Sequence, residues 1–178
     1  MQKPDALLVI DVQNGLIEAH PYQEAALIDT LQSLLRECRA HGVPVLYIQH
    51  TEVGEGLLEG SHDWQIAPAT GPQAGEPVLQ KTFSSAFRGT PLHQTLQSMG
   101  AKRLILCGMQ TEYCVDTTCR VAFELGYEVT IAQGSTTTWD NGPFAAEELI
   151  RYYEQRIWDG RFAAVLPLAQ VLDGIRGT

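Results

Sequence analysis

The chain has 178 residues, against a prior of roughly 100–200 residues per domain, so it reads as one domain over 1–178 with room for a sizeable core. Twelve Lys+Arg against 21 Asp+Glu give a net charge of -9, and only three of the cations are lysines: Lys3, Lys81 and Lys102. An acidic, lysine-poor surface repels phosphate backbones and anionic headgroups, which argues against nucleic acid and membranes as partners and leaves small molecules. Four cysteines, Cys38, Cys107, Cys114 and Cys119, lack C-x-x-C spacing, so neither a disulfide scaffold nor a structural zinc is expected. The apolar runs are short of the roughly 18 residues that span a bilayer, and no signal-peptide pattern opens the chain. The expected location is cytoplasmic.

In chain order, residues 6–10 (Ala-Leu-Leu-Val-Ile) form an uninterrupted apolar run, as in a strand covered on both faces of a parallel sheet, and Asp11 follows at its carboxyl end. A Gly-containing turn comes next. Leu27, Leu31, Leu34, Leu35 and Cys38 then make one apolar stripe on a helix from about Gln23 to Ala40, stopped by Gly42. Val43 to Ile48 reads as the second strand. Residues 51–77 lack a period, are rich in Gly, Pro and acidic residues, and exceed the usual loop length, which marks a functional or mobile segment. Pro77 to Gln80 reads as a short edge strand ending at Lys81. Thr90-Pro91 and Gly142-Pro143 place proline at plausible first helical positions, and Gly100 and Gly126 follow apolar-periodic stretches. The remaining pattern alternates: strand 104–106, helix 114–125, strand 128–132, helix 143–158, strand 162–165 and a last helix over 168–175. This is α/β alternation. In such sheets ligands bind beyond the carboxyl ends of the strands, which draws attention to 11–14, 49–51, 81, 107–114 and 133–139.

Cys114 lies at the start of a predicted helix, where unpaired N–H groups and the helix dipole favour thiolate and lower a pKa that is about 8.5 in a free cysteine. It reads either as a nucleophile or as a small buried hydrophobe. Cys38, Cys107 and Cys119 read as core residues. Asp11, partly desolvated, is a candidate base, and Lys81 a candidate cation partner for it; singly they also read as a turn residue and a solvated strand end. The five histidines show no local pairing with the cysteine, and a metal reading of His50, His62 and Asp63 lacks recognised ligand spacing.

Three stretches carry a resemblance: Val9-Ile10-Asp11-Val12-Gln13-Asn14; Lys81-Thr82-Phe83-Ser84-Ser85-Ala86-Phe87-Arg88-Gly89-Thr90-Pro91-Leu92; and Gly108-Met109-Gln110-Thr111-Glu112-Tyr113-Cys114-Val115. In this order they resemble the isochorismatase-like cysteine hydrolases, over nearly the whole chain. The resemblance implies a three-layer α/β/α sandwich around a mostly parallel sheet of five or six strands, with Rossmann-like topology. It also implies a catalytic set of Asp11, Lys81 and Cys114, a cis peptide at Met109-Gln110, and an oxyanion hole from the N–H groups of Gln110 and Cys114. No cofactor is implied, and a homodimer or homotetramer is. Presence of Cys114 points to the branch that hydrolyses C–N bonds of small amides, ureides or lactams through an acyl-enzyme. The nicotinamidase metal set, Asp-x-His…His after the second strand, is not matched by Gln49-His50-Thr51-Glu52. The expected pocket lining is Gln13, Trp64, Phe83, Phe87 and Tyr113, with Trp139 as a further candidate, and residues 51–77 are expected to form a lid or an interface. A vinyl ether hydrolase with an idle Cys114, or a non-catalytic ligand-binding member, stands as an alternative.

Overall fold

The computed structural model describes residues 1–52, 54 and 56–178. Six strands form one wholly parallel sheet in the order β3-β2-β1-β4-β5-β6. They are β1 (Ala6–Ile10), β2 (Val45–His50), β3 (Val78–Lys81), β4 (Arg103–Met109), β5 (Glu128–Thr137) and β6 (Ala164–Leu166). The helices are α1 (Asn14–Glu18), α2 (Glu24–Ala40), α3 (Leu92–Ser98), α4 (Asp116–Glu124), α5 (Ala146–Tyr152) and α6 (Leu168–Arg176).

Side chains alternate across a strand, so β1 feeds two cores. Ala6, Leu8 and Ile10 join Leu92 and Leu96 of α3 and Cys119 and Ala122 of α4 on one face. Leu7 and Val9 join Leu27, Leu31, Leu34, Leu35 and Cys38 of α2, with Val171 and Ile175 of α6, on the other. The three layers follow, and both faces of the sheet being covered is why β1 reads as a continuous apolar run.

Boundary differences from the sequence reading each have a local cause. β2 starts at Val45 because the Val43 N–H closes the end of α2 on the Cys38 carbonyl (2.8 Å), with Gly42 left-handed between them at φ 66°. β5 does not stop at Ala132. Its ladder with β4 shifts register between Leu106 and Gly108, and the strand resumes with Gly108 paired to Thr136 and Met109 to Thr137. Pro143 does not open a helix: Asn141 and Phe144 pair across a tight turn, Asp140 accepts the Ala146 N–H (2.8 Å), and α5 begins there. α5 continues as a π-helical turn over Tyr153–Trp158. The Phe162 and Ala163 N–H groups bond to the Trp158 carbonyl, which delays β6 to Ala164. A second π-helical turn, Thr111–Val115, joins β4 to α4 and holds Cys114.

β1 and β4 are where the chain reverses its direction of travel across the sheet, the crevice at which doubly wound sheets bind ligands. Gly108 sits opposite Ile10 there, at φ 118°, and any Cβ would collide with the backbone of Ile10. Only glycine lets β4 approach β1 this closely while adopting that conformation. Gly108→Ala is therefore expected to lower unfolding free energy in urea by about 3 kcal/mol or more, whereas Gly100→Ala, also at positive φ but facing open space, should cost about 1 kcal/mol. Equal losses at the two positions would contradict the close-approach account.

Candidate active site

Four adjacent strands each bring one polar side chain to the same end of the sheet. Asp11 follows β1, His50 ends β2, Lys81 ends β3, and Cys114 lies in the turn after β4. Lys81 is two strands from Asp11, so its long side chain must cross the end of β2, where His50 is its register partner. The Lys81 ammonium meets three acceptors: Asp11 Oδ2 at 2.7 Å, His50 Nδ1 at 3.0 Å and Cys114 Sγ at 3.2 Å. Its three protons are thus matched by three acceptors. The side chains of Lys81 and Asp11 are essentially inaccessible, at 0% and 3%.

Asp11 adopts a left-handed conformation, φ 52°, at the point where its N–H still bonds to the Ile48 carbonyl of β2 (2.9 Å). Aspartate tolerates that region better than most residues, and the turn directs the carboxylate toward the crevice. Asp11 Oδ1 accepts no hydrogen bond from any protein group among the described residues. Burial pushes the Asp11 carboxyl above the usual carboxylate range, against the opposing pull of the Lys81 ammonium.

The Cys114 thiol is pushed up to about 12, first by burial and then by the negative charge of Asp11, with Lys81 opposing. This corrects the expectation that its position at a helix start lowers the pKa. The resting sulfur is a protonated thiol beside a carboxylate. His50 is pushed down to about 4, by burial first and then by the Lys81 charge. A neutral His50 with its proton on Nε2 leaves Nδ1 free to accept from Lys81.

A cavity of about 200 Å³ opens over this cluster, lined by Asp11, Leu16, His50, Glu52, Leu57, Ser84, Gln110, Tyr113 and Cys114. That is smaller than the roughly 300–1,000 Å³ of drug-sized ligand pockets, which suits a compact ligand. A larger hollow of about 730 Å³ along α5, lined by residues such as Phe144, Leu149 and Tyr152, carries no nucleophile.

Of the expected pocket residues Tyr113 lines the cavity, and five others do not. Gln13 is fully buried and consumed internally: its amide donates to the carbonyls of His50 (2.9 Å) and Trp64 (2.8 Å), and its oxygen accepts the His50 N–H (2.8 Å). Trp64 turns its indole N–H to Thr51 Oγ1 (2.8 Å). Phe83 lies under the Arg88 guanidinium, 3.7 Å from its centroid, and Phe87 stacks on Tyr127 toward the core. Trp139 donates to the Ala19 carbonyl (2.9 Å) and is likewise not a lining residue. Nearness along the chain to a strand end does not fix which way a ring points.

The same bonds explain residues 51–77. Gln13 and Gln49 both hold the Trp64 carbonyl, the Ala67 N–H bonds to Val12, and Arg39 grips Glu76 with two bonds of 2.8 Å. Among its described residues the segment is tied at Trp64 and Ala67 to the carboxyl ends of β1 and β2 and at Glu76 to the end of α2, and it supplies Glu52 and Leu57 to the cavity wall. His62 is apart from His50, paired with Glu18 at the surface (2.7 Å). The Met109-Gln110 bond is cis, and Gln110 lines the cavity beside Cys114. No helix is long and apolar enough to cross a membrane among the described residues.

Fold and cavity together define a doubly wound α/β domain with a thiol, a carboxylate and a lysine in its strand-end crevice. The chain belongs to the isochorismatase family: the Isochorismatase domain matches residues 5–156. It is 33% identical over 76% of its length to a streptothricin hydrolase of Streptomyces noursei, covering 50% of that protein. It is 30% identical over 76% of its length to nicotinamidase 3 of Arabidopsis thaliana, covering 74% of it. A crystal structure of a cysteine hydrolase from Pseudomonas syringae pv. phaseolicola 1448A superposes with a TM-score of 0.90 at 25% identity, over 97% of this chain and 92% of that one. The chain spans about half the length of the streptothricin hydrolases it matches.

His50 gives the site a pH signature. Its folded pKa is depressed to about 4 from 6.5, so its contribution is complete above the unfolded value and is lost as pH falls toward 4. Allowing for partial exposure, the loss is about 1–2 kcal/mol. His50→Asn, whose amide oxygen can accept from Lys81 without titrating, should have a flatter urea-stability profile than wild type between about pH 7 and pH 4.5. Parallel profiles would contradict a neutral His50 bonded to Lys81.

Proposed function

We propose that the chain is a cysteine hydrolase that cleaves the C–N bond of a small amide, ureido or lactam substrate through an acyl-enzyme on Cys114. The observation carrying this reading is the placement of the Lys81 ammonium 2.7 Å from Asp11 and 3.2 Å from the Cys114 sulfur, inside the crevice.

Asp11 takes the thiol proton as sulfur bonds to the carbonyl carbon. Because the resting thiol is protonated and the Asp11 carboxyl is raised, proton transfer and attack belong to one step, in which the carboxylate is a competent base. Lys81 stays close to both groups and offsets the negative charge passing from carboxylate to sulfur. Backbone N–H groups of Gln110 and Cys114 stabilise the oxyanion. Asp11 returns its proton to the departing nitrogen as the C–N bond breaks. A water then loses a proton to Asp11 and attacks the thioester, the C–S bond breaks, and the proton returns to sulfur as the acid leaves.

The cavity's charge balance favours this over vinyl ether hydrolysis of isochorismate, a dicarboxylate. Among the described residues no Lys or Arg lines the cavity, the protons of Lys81 are matched internally, and Glu52 adds a negative charge. Nicotinamide is not singled out, because His50 faces Lys81 rather than standing in an Asp-x-His set.

Cys114→Ala is expected to reduce ammonia release from a panel of small amides at least about 10³-fold, and Asp11→Asn about 10²–10⁴-fold. Both variants should keep the wild-type circular dichroism spectrum. Cys114→Ala retaining more than a tenth of wild-type turnover would sink the acyl-enzyme reading.

A further inference from the structure

We propose that Glu52 forms a cation-binding subsite in this cavity, so that the preferred substrate is a small amide carrying an ammonium or guanidinium group on a short aliphatic spacer. This rests on the reading that Cys114 attacks substrate in the same cavity.

The charged groups of the crevice do not cancel. Asp11 is neutralised by Lys81, and the third acceptor of Lys81 is His50, so the ammonium has no proton left for another anion. Glu52 lines the wall with its side chain 48% exposed, and its nearest basic group is His50 Nε2, 4.0 Å from Oε1. With His50 neutral, that contact is not an ion pair. Among the described residues no other basic side chain lines the cavity, and Arg88 of the adjoining segment is stacked on Phe83. Among the described residues the cavity therefore presents one uncompensated carboxylate, that of Glu52.

Its other walls match the rest of such a ligand. Leu16 and Leu57 offer apolar surface for methylene groups. Tyr113 supplies an aromatic ring, held by Asn141 Nδ2 donating to its hydroxyl (2.9 Å). A cavity lined by both an aromatic ring and a carboxylate offers a cation two sources of attraction, the charge and the ring face. The Glu52 N–H bonds to the Leu57 carbonyl (3.0 Å), which holds the backbones of these two wall residues together. The overall charge of -9 adds a long-range pull of the same sign.

The test compares three amides of similar length: 6-aminohexanamide (cationic), heptanamide (neutral) and adipamate (anionic). In the wild type, kcat/KM should fall in that order. Glu52→Gln should shrink the ratio of cationic to neutral by about fivefold, the scale of an exposed ion pair, and Glu52→Lys should invert the order of cationic and anionic. Turnover of all three at ratios unchanged by Glu52→Gln would overturn the subsite while leaving the amidase reading intact. If none is turned over, alkylation of Cys114 decides, using 2-bromoethylammonium, iodoacetamide and iodoacetate with each rate divided by that of the unfolded protein. A cationic preference reduced by Glu52→Gln supports the subsite, and an unchanged preference overturns it. Asp11 would take the thiol proton during alkylation as it does in attack on substrate, so inertness of Cys114 to all three reagents, together with no turnover, overturns both readings.

Discussion

The inaccessible Lys81–Asp11 pair is the interaction on which the rest of the site depends. Taking two charges out of water costs several kcal/mol for each, and their mutual attraction offsets this only when the geometry is good and the remaining valences are met. Here Lys81 meets its own with His50 and Cys114, while Asp11 Oδ1 has no protein partner among the described residues. Four strand ends must be in register for that to happen, so the local polar geometry and the sheet topology constrain each other. The pair also sets the chemistry. Burial, and after it the negative charge of Asp11, holds the neighbouring sulfur as a thiol, and the lysine keeps the system close to neutral whichever of the two carries the negative charge.

Around the pair, the backbone supplies closeness and the long segment supplies walls. Gly108 removes the side chain that would separate β4 from β1, and the turn after β4 then carries Gln110 and Cys114 over Asp11. Gln13 and Gln49 bind residues 51–77 to the same strand ends, bringing Glu52 and Leu57 to the cavity. Gln13 is thus a structural rivet whose place in the sequence motif mimics that of a ligand-binding residue. The outcome is a small cavity with a neutral reacting centre and an acidic margin.

Much of this was legible in the sequence because it rests on local pattern. The β1 run, the α2 stripe and the strand-end positions of Asp11 and Lys81 depend on burial periodicity, which the chain expresses directly. What depended on register or on side-chain direction was not legible. His50 matters because β2 pairs with β3 so that it faces Lys81, and no spacing along the chain reports that. Phe83 and Phe87 stand in the right segment yet point to Arg88 and to Tyr127. Cys114 lies in a π-helical turn, where burial and then Asp11 push its thiol up, and neither effect is visible from its sequence position.

The thiol's protonation state tests the central claim most directly, through the ultraviolet absorbance of thiolate titrated in the wild type and in Asp11→Asn, each referenced to its Cys114→Ala counterpart. With the thiol pushed up to about 12 by burial and by Asp11, the wild type should show no Cys114 thiolate through the neutral range. Asp11→Asn, leaving Lys81 beside the sulfur, should lower the midpoint while turnover is lost. Thiolate already present in the wild type at neutral pH, or a midpoint raised by Asp11→Asn, would contradict the account.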